Sequence, residues 1–182
     1  MKIYALKTSP AFEAALYSGV RLAGPAEPYE KMITDFSRHL GVAFQILNDF
    51  KDWEGDSDNK LVVGQDILAG RPTLLLALAL EGLTGGDREE LLAIVQGEHP
   101  RQAQNLVPRV RQLFQKADVF AKAEKLVEKY RARTEAIADE VEPTELRELL
   151  YYLVDNVLER TEPVMPEAPP QFVQLSLPMV HA

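Results

Sequence analysis

Gln45, Asn48, Asp49 and Asp52 crowd four side-chain oxygen donors into eight residues of the stretch HLGVAFQILNDFKDWEGDSDNK, residues 39–60. On an α-helix, side chains four apart stand above one another, about 6 Å along the axis. Asn48 and Asp52, extended by Asp56, then share one stripe, and Gln45 and Asp49 the adjacent one. Their neighbours Phe44, Ile46, Leu47, Phe50 and Trp53 favour burial. Carboxylates gathered on such a helix repel each other and lose solvation. A hard divalent cation removes both costs, and magnesium accepts a few carboxylate or amide oxygens while water and substrate phosphates complete its shell. A solvated acidic helix end is the competing reading, and on spacing alone the two stand level. An EF-hand is a poor fit, because Leu61 stands where its loop needs glycine and Ile67 where it needs the closing glutamate.

The elements that must carry these residues read as helices nearly throughout. Thr8 or Ser9 is placed to cap a first helix, with Pro10 in its first turn and Gly24-Pro25 closing it. Pro28 opens a second helix, YEKMITDFSRHLGVAFQILNDFKDW, whose pattern fades near Gly55, and a polar loop follows to Asp66. Thr73 to Glu81 predicts a short apolar helix, broken by Gly82, Gly85 and Gly86, and DREELLAIVQ a small one after it. Residues 109–141 have the three- and four-residue apolar steps of one long amphipathic helix, and TELRELLYYLVDNVLE predicts another after Pro143. From Thr161 to Ala182 prolines accumulate and no period survives, so a loose tail is expected there, behind a single domain over residues 1–160. Phe44, Trp53 and the Tyr151–Tyr152 pair are read as packing residues.

Composition narrows the function. The chain has 182 residues, 46% hydrophobic and 26% charged, which suits one domain with a sizeable core. A net charge of −8 argues against nucleic acid as the main partner. Without cysteine there are neither disulfides nor thiolate metal sites. The opening MKIYALKTSP lacks the apolar core of a signal peptide, and the longest apolar run, Leu74–Leu80, is too short to span a bilayer. A cytoplasmic protein without a transmembrane segment is expected.

GVAFQILNDFKDWEGD resembles the second aspartate-rich motif of the trans-isoprenyl (polyprenyl) diphosphate synthases, F-Q-x-x-D-D-x-x-D. Other short motifs flank it in the family's order. Lys7-Thr8 is similar to the family's Lys-Thr helix start; Lys60, Gly64 and Asp66 resemble its K…G-x-D loop; GRPTLLLALAL resembles its G-(K/R)-x-T-L helix. AKAEKLVEKYRARTEAI is similar to the helical region beyond, so the resemblance covers residues 1–160. It implies an all-α fold of antiparallel helices and a prenyltransferase that joins an allylic diphosphate to isopentenyl diphosphate with Mg2+. By the same resemblance Asn48, Asp49 and Asp52 hold the metal; Lys7, Gln45, Lys60 and Arg71 meet the diphosphate; and Thr8 stands beside them with Asp49 in the catalytic set.

Two departures qualify that expectation. Asn48 replaces the first aspartate of the motif, and an amide ligates magnesium without contributing charge. Asn48, Asp52 and Asp56 also mimic the metal spacing of terpene cyclases, which keeps a cyclase-like role in view. Second, no D-D-x-x-D occurs anywhere in the chain. The sequence therefore reads as the C-terminal half of the fold, inactive alone. It could be a gene fragment, a subunit of a split enzyme whose partner brings the first aspartate-rich motif, or a non-catalytic regulatory homologue in a homo- or hetero-oligomer. Leu74–Leu80 and the apolar half of the second helix are expected to be left uncovered in such a half.

Overall fold

In the computed structural model, residues 1–54, 63–98 and 103–159 are described. They contain α-helices and one short 3-10 turn, and no strand. Helix α1 spans Lys2–Ala23 and, after the turn Glu27–Tyr29, α2 spans Glu30–Glu54. Then come α3 (Gln65–Leu68), α4 (Leu74–Gly82), α5 (Gly85–Val95), α6 (Ala103–Lys116), α7 (Val119–Asp139) and α8 (Thr144–Leu158). The expected all-α class holds.

Helix α2 is the axis of the fold, because it is apolar on more than one side. Its buried residues include Ile33, Phe36, Leu40, Ala43, Ile46, Phe50 and Trp53, at the three- and four-residue steps that make a stripe. α1 packs along one side of it and α7 along another, with α8 also in contact. At its C-terminal end Trp53, Phe114 and Phe120 form an aromatic cluster, with the Trp53 and Phe114 ring centres 4.9 Å apart. Arg111 lies over the Trp53 ring and donates through Nη2 to the Trp53 carbonyl at 2.5 Å, satisfying a terminal carbonyl of α2.

The structure corrects several expectations. α1 begins at Lys2, before Thr8 and Ser9, and runs straight through Pro10. Proline removes the hydrogen bond that would reach the Leu6 carbonyl, but Leu6 and Pro10 both lie on the exposed side, where water replaces the missing donor. The expected single helix over residues 109–141 is two helices, and α6 itself starts ahead of Pro108. The break falls at Asp118, which adopts left-handed backbone geometry at φ 54°. Apolar positions keep their spacing across it, since Leu113, Phe114, Ala117 and Val119 are all buried, so periodicity alone misses the break. The end of the expected loop, Gln65 and Asp66, belongs instead to the short helix α3.

The apolar surface also lies elsewhere. Leu75, Leu76 and Ala79 of α4 are buried, as is the apolar half of α2, because α7 and α8 cover them within the chain. The large exposed apolar side chains sit mainly on α1, including Leu6 at 76% and Leu22 at 91% exposure. Tyr152 is exposed too, against its reading as a packing residue, whereas Trp53 is buried and Phe44 meets Phe12 edge-on. Thr73, expected as the first residue of the apolar helix, instead caps α4, its hydroxyl accepting from the Leu76 amide at 3.2 Å. The tail expected from Thr161 lies outside the described residues.

The α1–α2 crossing is tightest at Gly41. A Cβ built there would stand 2.5 Å from Ser9 Oγ, 2.9 Å from Ser9 N and 3.0 Å from Ser9 Cα. Backbone cannot yield as a flexible side chain does, so Gly41→Ala should cost about 1–3 kcal/mol in urea unfolding. Gly86→Ala, with open space around the new methyl group, should change stability by less than about 1 kcal/mol. A Gly41→Ala protein as stable as the parent would mean that the two helices do not approach this closely.

Candidate functional site

The tight crossing sets α1 antiparallel to α2, so the start of α1 lies beside the C-terminal part of α2. Tyr4, Thr8, Phe12 and Leu16 recur every four residues and make the inward stripe of α1. Its lower half, Phe12 against Phe44, is apolar. Its upper half is polar and meets the expected site. Thr8 Oγ1 donates to Gln45 Oε1 at 3.1 Å, and Gln45 Nε2 donates to Asp49 Oδ1 at 3.4 Å. Tyr4 Oη donates to Asp49 Oδ2 and accepts from the Leu74 amide, which also reaches Asp49 Oδ2 at 3.2 Å.

Asp49 is therefore compensated differently from the sequence expectation. It is 4% exposed, enclosed by α1, α2 and the start of α4, and its charge is met by three hydrogen-bond donors. Burial raises its pKa, and the bonds from Tyr4, Gln45 and Leu74 pull the other way. Burial pushes the Tyr4 phenol up as well, with Asp49 adding to the effect, so Tyr4 stays a donor. Asn48, one residue before, is exposed, and Asp52 is half-buried. Asn48, Asp49 and Asp52 do not present themselves together: the middle residue is turned into the packing between helices.

Asp52 looks toward a different group. Gly64 adopts φ 75°, which favours glycine, and its amide donates to the Asp52 carbonyl at 2.8 Å. The Asp66 amide donates to Asp52 Oδ2 at 3.3 Å. Burial raises the Asp52 pKa first, the neighbouring Asp66 anion raises it further, and the Asp66 and Gln65 amides lower it. Asp66 accepts from Arg71 Nη1 at 2.6 Å, so the expected diphosphate ligand Arg71 is engaged by an acid of its own turn. Both side chains are partly exposed, and such a pair contributes at most about 1 kcal/mol. Lys7 is exposed beside Thr8 and has no ion-pair partner among the described residues. Lys60 and Asp56 lie outside the described residues.

Thr8 and Gln45 are thus brought together, and Asn48 and Asp52 lie one turn apart on the open side of α2. Tyr4 is the residue the sequence reading missed. Its signal was its four-residue step before Thr8, which places it on the face of α1 that meets Gln45 and Asp49. Among the described residues no three His, Asp or Glu side chains are grouped to hold a metal ion by themselves. Asn48 and Asp52 fit an ion that takes few protein oxygens and completes its shell from phosphate and water, as magnesium does.

The family model described as Polyprenyl synthetase matches residues 1–113. The chain belongs to the polyprenyl synthetase family. It is 28% identical over 161 residues to a short chain isoprenyl diphosphate synthase of Methanothermobacter thermautotrophicus, covering 88% of this chain and 48% of that one. It is 38% identical over 81 residues to an octaprenyl diphosphate synthase of Escherichia coli, covering 44% and 25%. Among solved structures, a polyprenyl synthase from Caulobacter crescentus, complexed with calcium and isoprenyl diphosphate, superposes with a TM-score of 0.73 at 25% identity, covering 87% and 48%. A geranylgeranyl pyrophosphate synthetase from Pyrococcus horikoshii gives the same score and identity, covering 88% and 48%. This polyprenyl synthetase chain spans about half the length of the M. thermautotrophicus relative and of both solved structures. No helix among the described residues is long and apolar enough to cross a membrane.

Two measurements check the site's electrostatics. Tyr4→Phe removes the hydroxyl between Asp49 and Leu74 and leaves a buried carboxylate short of a donor, which should cost about 1–3 kcal/mol in urea unfolding. An unchanged midpoint would place Asp49 in contact with water. Asp52 has a folded pKa above its ordinary 3.8, so the folded state holds that proton more tightly than the unfolded chain. The stability it contributes is present at low pH and is lost as pH rises through the folded pKa. In metal-free buffer, Asp52→Asn should therefore gain stability relative to the parent between pH 4 and pH 7, and a pH-independent difference would contradict the assignment.

Proposed function

We propose that this chain forms the diphosphate-holding part of a trans-prenyltransferase. The reaction condenses an allylic diphosphate with isopentenyl diphosphate: the allylic carbon–oxygen bond breaks, diphosphate leaves, the alkene of the second substrate forms the new carbon–carbon bond, and a proton is lost. The observation that carries this reading is the pairing of Asn48 and Asp52 on the open side of α2, in a chain whose family relatives include a synthase complexed with calcium and isoprenyl diphosphate.

Each residue has a distinct part in it. Asn48 and Asp52 would hold Mg2+, which when bound supplies positive charge opposite the departing diphosphate. Lys7 brings an exposed ammonium to the same end of α1, where it attracts the anionic substrate. Thr8 fixes the Gln45 amide by accepting none of its protons: the Thr8 hydroxyl donates to Oε1, so Nε2 points to Asp49. Asp49 acts here as a positioning residue, tying the start of α4 to α1 and α2 through Leu74 and Tyr4. Lys60, by the family resemblance, would add a second cation.

Calorimetric titration tests the reading. Mg2+ with pyrophosphate should bind at least about tenfold more tightly than Mg2+ alone, because the anion supplies the missing oxygens. Asp52→Ala should abolish that gain, whereas Asn48→Asp, which restores a charge, should strengthen Mg2+ binding by about tenfold. Pyrophosphate-dependent binding that survives Asp52→Ala intact would remove α2 from the site and the proposal with it.

A further inference from the structure

A hollow of about 450 Å3 lies between the start of α1, the middle of α2 and α7. Its volume is that of an ordinary small-molecule site. Lys2, Arg38 and Arg133 reach it from three different helices, and Leu6, Val42 and Tyr130 give it apolar walls. Among the described residues, no aspartate or glutamate lines it. In a chain with 28 acidic and 20 basic residues, three cations around one hollow without an acid among them is a marked local excess. None of the three has an ion-pair partner among the described residues.

His39 forms part of the same wall and gives a second, independent observation. Its Nδ1 is buried and has no hydrogen-bond partner, although buried polar atoms nearly always have one. The ring lies 5.7 Å from that of Tyr130, and the Arg133 guanidinium stands over the same Tyr130 ring, 5.6 Å from its centroid. Burial lowers the His39 pKa first, and Arg133 and Arg38 lower it further; the one acid acting on it is Asp35, a turn away on α2 and bonded to Lys31. Three cations around one hollow favour an anion there, and an anion placed among them would act on the adjacent His39 imidazole as well.

We propose that this hollow binds a soluble amphiphilic phosphate ester, with its phosphate among Lys2, Arg38 and Arg133 and its hydrocarbon part against Leu6, Val42 and Tyr130. The site is separate from Asp52 and does not rest on the proposed prenyl transfer. Guanidinium groups suit phosphate oxygens because their paired N–H groups match them. The walls are too apolar for inorganic phosphate to be the best ligand. A net charge of −8 opposes docking to an anionic membrane surface, which favours a dissolved ligand.

Decyl phosphate below its micelle concentration is the probe, titrated calorimetrically into the full chain. One site is expected, with inorganic phosphate and 1-decanol each weaker by at least about tenfold, since each makes only half the contacts. Arg38→Ala/Arg133→Ala should lose at least about tenfold, Arg38→Lys/Arg133→Lys, which keeps the charge without the paired N–H groups, should lose less than the alanine pair, and Asp52→Asn should bind as the parent does. Both arginines are exposed, so folding should survive, and circular dichroism verifies it. The bound anion should also raise the His39 pKa, read from its imidazole NMR signals, because negative charge favours the imidazolium. The proposal fails if the double alanine variant binds unchanged, if decanol matches decyl phosphate, if His39 does not respond, or if binding requires phosphatidylglycerol vesicles.

Discussion

The close crossing of α1 and α2 at Ser9 and Gly41 is the constraint on which the candidate site depends. With no side chain on Gly41, the two backbones come near enough for Thr8 to meet Gln45 and for Tyr4 to meet Asp49. Helix packing fixes register through such contacts, since neighbouring side chains must interdigitate along the whole length. Phe12 against Phe44, and the Thr34 hydroxyl donating to Glu13 at 2.8 Å, extend the same register toward the other end of α1. A helix-to-helix shift of one turn would move every polar residue of α1 away from its partner.

That register resolves how an aspartate survives in the apolar part of α2. Asp49 needs no cation, because a phenol, an amide side chain and a backbone N–H surround it. A fully satisfied buried network of this kind is worth more than its separate bonds suggest, and losing one member is correspondingly costly. Asp49 therefore serves the fold by tying the first residue of α4 to the first two helices. The same bonds engage both of its carboxylate oxygens within the protein.

Much of this was legible in the sequence. The span of α2, the short apolar helix after Thr73, the polar turn around Gly64 and the meeting of Thr8 with Gln45 follow from spacing and motif order. The rest depended on contacts between elements distant in the chain. Nothing local distinguishes Asp49 from Asp52; only the arrival of Tyr4 and Leu74 does so. Arg71 reads as a ligand for phosphate from its type and motif position, and its bond to Asp66, five residues away, is visible only in the folded turn. Pro10 and Asp118 were misjudged for opposite reasons. An exposed proline costs a helix less than its reputation suggests, and an unbroken apolar period conceals a change of direction when both helices bury the same side.

Dividing adjacent acids between structure and chemistry has a physical consequence for the proposed metal site. A site left with Asn48 and Asp52 carries one formal negative charge where three carboxylates would carry three. Such a site attracts a bare divalent ion weakly, yet Asp52, whose proton is held by burial and by Asp66, gains most from the arrival of positive charge. Diphosphate brings the further oxygens and charge that the protein omits, so ion and substrate are expected to bind as a unit and neither strongly alone. Occupancy then follows substrate, and the fold is spared the repulsion of a permanently charged cluster beside its aromatic core.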